Sequence, residues 1–516
     1  MSVDRLLEWS VDRFADRATI QTETTRRTFR EVDERANALA NWLIGQGVRK
    51  GDRVGVLIGN QAEYPEAEIG IAKAGAVRVP MLISSSASEV QRYISFAETG
   101  FVFASAGKGL ETLREVLLTP DLPLRPRVVA IGGSVAGEED FEAVIAASDT
   151  RRPRLELGDD DLYAVRFTGG TTGLPKGVMM DHRCMTNVIN NVLLNWQVGD
   201  DETVCHIHPL SHASGKIMYT WWMRGARQVI MPAFGFDPEA FLRTVERERI
   251  TTLFMIPTAI NMVLDCPALG RYDTSSLRRI IYGGAPMAER RIVEAVSAFG
   301  PVLYQIYGSS EAPNMLTCLS AQDHVFEGEP PARLRSAGRP AYNVDLRIVD
   351  ETGADCPPDT VGEIISRGPH TMRGYWKDPA LTAERKVDGW IHTGDMGRFD
   401  EHGYVHVVDR KDDVIITGGF NVWPAEVENA LCAHPDVAEA IVFGVADDKW
   451  GEAVVAVVVA KADRSLDAGA LTAHLQPLLP RHKLPKHIDV RETPLPKSSV
   501  GKLLRRAAAA DYGRRT

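Results

Sequence analysis

The segment Phe167-Thr-Gly-Gly-Thr-Thr-Gly-Leu-Pro-Lys-Gly177 follows a predicted strand and concentrates glycine, threonine and one lysine in a single loop. Glycine lets backbone N–H groups approach a ligand, hydroxyls donate hydrogen bonds, and Lys176 adds positive charge, so the string suits phosphate binding. It is not a Walker loop, because Lys176 lacks the required glycine spacing and the following Ser/Thr. By composition alone it also suits a glycine-rich surface loop. Gly283-Gly284 and Gly308 stand at the ends of two further predicted strands, where a doubly wound sheet receives its ligands. His206, His208, His212 and Cys205 raise the question of a metal site. On a strand, residues 206 and 208 share a face while Cys205 points the other way. No further Cys or His lies nearby in sequence, so zinc is not expected. Lys216 could touch an acid or a phosphate, but a lone lysine is ordinarily solvated. Trp221 and Trp222 read as core or pocket wall.

The elements that must position these residues alternate. Thr28 and Glu31 form a capping-box pattern ahead of Ala36, Leu39, Ala40, Leu43 and Ile44 at helical spacing. Gly47 closes that helix, residues 53–58 read as a strand, Asn60 opens a second helix, and residues 77–81 form the next strand. The same rhythm recurs between about 236 and 307. This punctuation predicts a largely parallel sheet covered by helices. Between about 335 and 409, short β-rich segments broken by Gly and Pro suggest a small barrel or sandwich. The last hundred residues return to mixed α/β patterning through the polar stretch Asp409–Asp413. The apolar run Ala453–Ala460 reads as a buried strand, too short to span a bilayer.

The 516 residues carry 59 basic and 69 acidic side chains, a formal charge of −10. That length favours two or more domains. The acidic balance argues against a nucleic-acid binder, which needs a basic face, while leaving room for a local anion pocket. The six cysteines are scattered without a C-x-x-C pair, which fits a reducing compartment. The N-terminus lacks a signal-peptide layout. A cytoplasmic protein without integral membrane association is therefore expected. Nothing in the sequence speaks against a homodimer or for one.

The loop at 167–177 resembles the phosphate loop of the adenylate-forming superfamily, which comprises acyl-CoA synthetases, peptide-synthetase adenylation domains and firefly luciferase. Gly169 stands where that family has serine. Further motifs follow in the family's order: Tyr282–Pro286, Tyr304–Glu311, Trp390–Asp395, Tyr404–Asp413, Ile416–Glu428 and Pro496–Lys502. The resemblance, closest to the acyl-CoA synthetases, implies an α/β protein. Its large N-terminal domain (1–411) would hold two packed α/β sheets and a small β-barrel, followed by a smaller, mobile α+β domain (412–516) hinged at Asp412.

It also implies a set of site residues. Thr168, Gly169, Gly170, Thr171, Thr172 and Gly173 would cradle the phosphates of ATP with Lys176. Gly283, Gly284, Ala285 and Pro286 would form the adenine turn, and Gln305, Ile306, Tyr307, Gly308, Ser309 and Ser310 would complete the nucleotide site. Within that set, Tyr307 stacks on adenine and Ser310 donates to the α-phosphate. Glu311 would hold Mg²⁺, because a bare carboxylate beside a triphosphate would be repelled. Asp395 and Arg410 would bind the ribose. His212, Ala213, Ser214, Gly283 and Gly308 would line the acyl pocket, Gly418 and Gly419 a channel for the coenzyme A thiol, and Lys502 would drive adenylation. The implied reaction joins a small-molecule carboxylic acid to AMP with pyrophosphate release, then to coenzyme A. The alternative acceptor is a carrier protein or an amine or nitrite nucleophile. The stretch Ser211–Lys216 lacks the aspartate by which a peptide-synthetase domain would hold a substrate ammonium.

Overall fold

The computed structural model describes residues 1–120, 122–168, 176–313, 315–461, 464–497 and 503–515. Contacts divide the chain into two units, one of residues 1–346 and 366–391, the other of residues 347–365 and 392–516.

The first unit holds two large sheets. A nine-stranded sheet has parallel strands Thr203–His206, Thr252–Met255, Arg279–Gly283 and Leu303–Tyr307 at its centre. An eight-stranded sheet runs through parallel strands Val77–Pro80, Arg53–Leu57, Phe101–Ser105 and Arg127–Ile131, with Leu162–Thr168 and Lys176–Asp181 closing one side as an antiparallel pair. Strands and helices of both sheets share one core, from Ile20 and Ile230 through Leu39 and Trp222 to Val54 and Ala164. Trp221 and Trp222 are fully buried within the first unit.

Local chemistry explains several boundaries. The capping box forms as expected, with Thr28 accepting from the Glu31 N–H and Glu31 reaching back to the Thr28 N–H. Asn60 does not cap the next helix, which begins at Glu63 after Ala62. Instead its side-chain amide donates to the carbonyls of His208 and Met231 and accepts from Leu210 N–H, at 2.9–3.0 Å. It thereby ties the end of a strand in one sheet to two loops of the other.

In the second unit, strands Trp390–Phe399 and Val405–Arg410 belong to a five-stranded sheet and pair antiparallel, Asp395 opposite Arg410. A separate five-stranded sheet contains Gly451–Ala460, whose apolar run is buried as expected. Among the described residues no helix is long and apolar enough to cross a membrane.

Candidate functional site

The first unit brings two expected turns to one sheet edge. Strands Arg279–Gly283 and Leu303–Tyr307 are parallel neighbours with Gly283 in register with Ile306, so both end at the same edge. A Cβ on Gly283 would lie 2.4 Å from the Ile306 carbonyl oxygen. The glycine is thus required by backbone packing. Gly284 follows in the left-handed region, φ +82°, with open space around it, and leads into Ala285 and Pro286. The Gln305 amide lies 3.1 Å from the Tyr282 hydroxyl, which also sits 2.9 Å from His324 Nε2. Burial holds His324 neutral, its pKa lowered to about 4.

Beyond Tyr307 and Gly308 the chain folds back on Ser309. The Ser309 hydroxyl accepts from the backbone N–H groups of Glu311 and Ala312 at 3.1 and 3.0 Å, a local side-chain turn of the kind serine forms readily. This turn presents Ser310 and Glu311. The half-buried Glu311 carboxylate accepts from the Tyr375 hydroxyl at 2.7 Å, and its carbonyl accepts from Met372 N–H. Tyr375 was not singled out in the sequence, since it lies 64 positions from its partner and no local pattern marks it.

The donor set can be weighed against Mg²⁺. Among the described residues there is no cluster of three or more His, Cys, Asp or Glu that would cage a cation. One carboxylate suits Mg²⁺, which keeps water and takes substrate phosphate oxygens rather than an all-protein shell.

The histidine segment resolves into separate roles. His206 is buried, with Nδ1 2.8 Å from Ser214 Oγ and Nε2 2.7 Å from Gln228 Oε1. Desolvation lowers its pKa to about 4. Both ring nitrogens are occupied, so it is a satisfied core histidine, and the Ser214 hydroxyl is committed to it. His208 accepts from Ile256 N–H at 3.1 Å. His212 and Ala213 begin the helix Ala213–Trp222, with His212 at its N-cap. Lys216, one turn further, is only 7% exposed, which overturns the expectation of a solvated lysine.

Thr168 ends its strand in register with Lys176. Gly169, Gly170, Thr171, Thr172, Gly173 and Lys502 lie outside the described residues.

The second unit carries the other expected group. Arg410 Nη1 donates to Asp395 Oδ1 at 2.8 Å across the ladder, with Asp395 buried and Arg410 half exposed. Beside them Glu363 accepts from Lys411 and from Gly394 N–H, and lies 3.3 Å from His392. Burial opposes its charge, but Lys411 and His392 outweigh that and hold its pKa below the ordinary value. Asp412 sits in the short 3₁₀ turn Lys411–Asp413. Arg505 spans Asp413 and Glu428 and lies near Asp409. Gly418 and Gly419, both at positive φ, form the two-residue turn of the hairpin joining Ile415–Thr417 to Phe420–Val422. A side chain on Gly418 would strike the Trp450 ring at 2.8 Å.

Two strand-end turns at one parallel edge are where a doubly wound sheet receives its ligands. Residues 7–376 match the family model of AMP-binding enzymes, and residues 426–502 that of the AMP-binding enzyme C-terminal domain. The chain belongs to the AMP-binding enzyme family. It is 36% identical over 495 residues to a feruloyl-CoA synthase of Amycolatopsis sp, covering 95% of this chain and 94% of that one. It is 34% identical to the fatty acid–[acyl-carrier-protein] ligase ScoC of Streptomyces coeruleorubidus, over 93% of this chain and 90% of that protein. Its fold resembles the solved amide bond synthetase McbA of Marinactinospora thermotolerans. There the TM-score is 0.88 at 29% identity, covering 99% of this chain and 100% of McbA.

Proposed function

We propose that this chain is an AMP-forming acid–thiol ligase that activates a small carboxylic acid as its acyl-AMP and passes the acyl group to coenzyme A. The observation that carries the reading is the pair of strand-end turns at one parallel edge, with the Glu311 carboxylate fixed there by Tyr375 and by the Ser309 turn.

A carboxylate is a poor electrophile because oxide is a poor leaving group. Attack of the acid's own carboxylate oxygen on the α-phosphorus of ATP breaks the bond to pyrophosphate and leaves AMP on the acyl carbon, from which it departs readily. No general base is required, since the nucleophile is already ionised. The protein's part is positioning and electrostatics. Glu311 holds Mg²⁺, which supplies charge neutralisation for the phosphates. Ser310 donates to the α-phosphate, and the 168–173 segment with Lys176 cradles the rest. Tyr307 and residues 283–286, with Gln305, Ile306 and Gly308, receive adenine, and Asp395 with Arg410 holds the ribose. Lys502 stabilises the charge that develops as the acyl–phosphate bond forms. The coenzyme A thiol then attacks the acyl carbon and AMP leaves, with Gly418 and Gly419 lining the thiol's approach. The C-terminal region beginning at Asp412 turns between the two half-reactions.

His212 and Ala213, together with Gly283 and Gly308, suit an aryl, alicyclic or medium-chain acyl group. The similarity to a feruloyl-CoA synthase favours the aryl end of that range. A carrier-protein thiol or an amine is the second acceptor class, raised by the ScoC and McbA similarities. We place the enzyme in the cytoplasm, where ATP and coenzyme A are available. The test is exchange of labelled pyrophosphate into ATP across a panel of acids, followed by addition of coenzyme A. Acid-dependent exchange and a thioester product are expected. Exchange without a thioester would move the acceptor to another thiol or amine.

A further inference from the structure

One cluster of the first unit buries three basic side chains, Arg78, Arg166 and Lys216, around a single buried carboxylate, Glu68. Arg78 pairs with Ala164 across parallel strands, so its side chain shares a sheet face with Arg166, two residues further along. Arg166 stands opposite Val178, which puts Lys176 on that face as well. One face of three neighbouring strands therefore presents Arg78, Arg166 and Lys176. Over it lies the helix Ala213–Trp222. From that helix Tyr219 donates to Glu68 at 2.8 Å, and Glu68 forms an ion pair with Arg78 and accepts from Tyr64 at 2.7 Å. Lys216 stands three positions before Tyr219.

Glu68 makes its ion pair with Arg78 and reaches Arg166 only through space. Arg166, 8% exposed, donates to the Ser211 carbonyl at 2.9 Å and forms no ion pair among the described residues. Lys216, 7% exposed, makes no hydrogen bond or ion pair among the described residues. Burial first, and then the guanidinium of Arg166, push its pKa well below that of an ordinary lysine, while Glu311 acts in the opposite sense. Two buried cations without a carboxylate partner are costly to fold around. Such a cost is characteristic of sites that a charged ligand completes.

We propose that Arg166 and Lys216 form an electropositive floor that receives the phosphate chain of ATP and the departing pyrophosphate. The inference rests on the adenylation reading above and adds two positioning residues to it. Phosphate is favoured over a second carboxylate on the acid because Lys176 lies on the same sheet face and the field of Glu311 reaches Lys216. A charge-assisted contact of this kind changes affinity about tenfold or more.

The test uses full-length wild type, Lys216→Met, Lys216→Arg and Arg166→Met. Calorimetric titration with inorganic pyrophosphate alone should show roughly tenfold weaker binding for Lys216→Met and Arg166→Met, with Lys216→Arg near wild type. The KM for ATP should rise in parallel while the KM for the acid holds. Because Lys216 makes no ion pair among the described residues, Lys216→Met should raise the melting temperature of the ligand-free protein, whereas a structural lysine would lower it. Unchanged pyrophosphate affinity, a lower melting temperature, or a change confined to the acid KM would each overturn the proposal. Wild-type exchange is measured first. Its absence removes the adenylation reading itself, while normal exchange in both Met variants removes only this inference.

Discussion

Charged groups are arranged differently in the two units. In the second, the principal ones are networked: Asp395 with Arg410, Glu363 with Lys411 and His392, and Arg505 with Asp413 and Glu428. In the first, the groups nearest the expected phosphates are not. Among the described residues Glu311 has a phenol as its hydrogen-bond partner and Lys216 has no ion-pair partner, and the two feel each other only through space. Networked charges hold a fold together. Charges left open in a folded protein mark where a cation and an anion are to arrive.

Substitution separates the two arrangements, and the largest effect should fall on Glu311. Glu311→Gln keeps the size and the Tyr375 contact but loses the charge, so adenylation should drop roughly 10²–10³-fold with little change in unfolding free energy. Steady-state exchange rates and urea melts check both halves. A stability loss without a rate loss would make Glu311 one more structural carboxylate. Arg505→Met should do the reverse. Removing the cation leaves half-buried Asp413 and Glu428 and buried Asp409 uncompensated, a cost of about 1–3 kcal/mol, read as a shifted urea midpoint.

Asp395→Ala should be milder and different in kind. Ribose contacts are equal in ground and transition states, so the KM for ATP should rise about tenfold with a smaller change in kcat. A kcat collapse at constant KM would contradict the ribose assignment.

The smallest effect is on stability against pH. In the first unit buried His206, His324 and His370 and half-buried His208 are lowered from 6.5 to about 4 by desolvation. Unfolding exposes them, so below 6.5 the unfolded chain binds protons the folded one refuses, and stability is lost as pH falls toward 4. In the second unit, burial outweighs Arg505 and raises Asp409 and Glu428. Those carboxyls bind protons in the fold at pH values where the unfolded chain has released them, so their contribution grows as pH falls. Hydrogen exchange of the full chain, corrected for intrinsic rates, should lose protection on acidification faster in residues 1–346 than in 392–461. Equal loss in both would contradict the sign assigned to one set.

How far the sequence reveals this depends on the distance between partners. The Thr28–Glu31 box is legible because its partners are three residues apart. The strands ending at Gly283 and Tyr307 are legible because apolar runs end in glycine turns, and sheet neighbourhood then brings the two turns together. Asn60 was misplaced as a helix cap because its partners lie 148 to 171 residues away. Lys216 defeats a local reading for the same reason: nothing near it in sequence says that Arg166, Cys184 and Arg78 come close to it in the fold. Gly283 was assigned to the acyl pocket, and the close approach of the Ile306 carbonyl gives it a packing reason that appears only once the strands are paired.

The central claim is that one chain runs two half-reactions with different groups, and Lys502→Ala tests it most directly. Acyl-AMP formation from acid and ATP should fall roughly 10²–10³-fold, about 3–4 kcal/mol of transition-state stabilisation. Thioester formation from preformed acyl-AMP and coenzyme A should stay near the wild-type rate. Equal loss of both steps would contradict the account, and so would loss of neither.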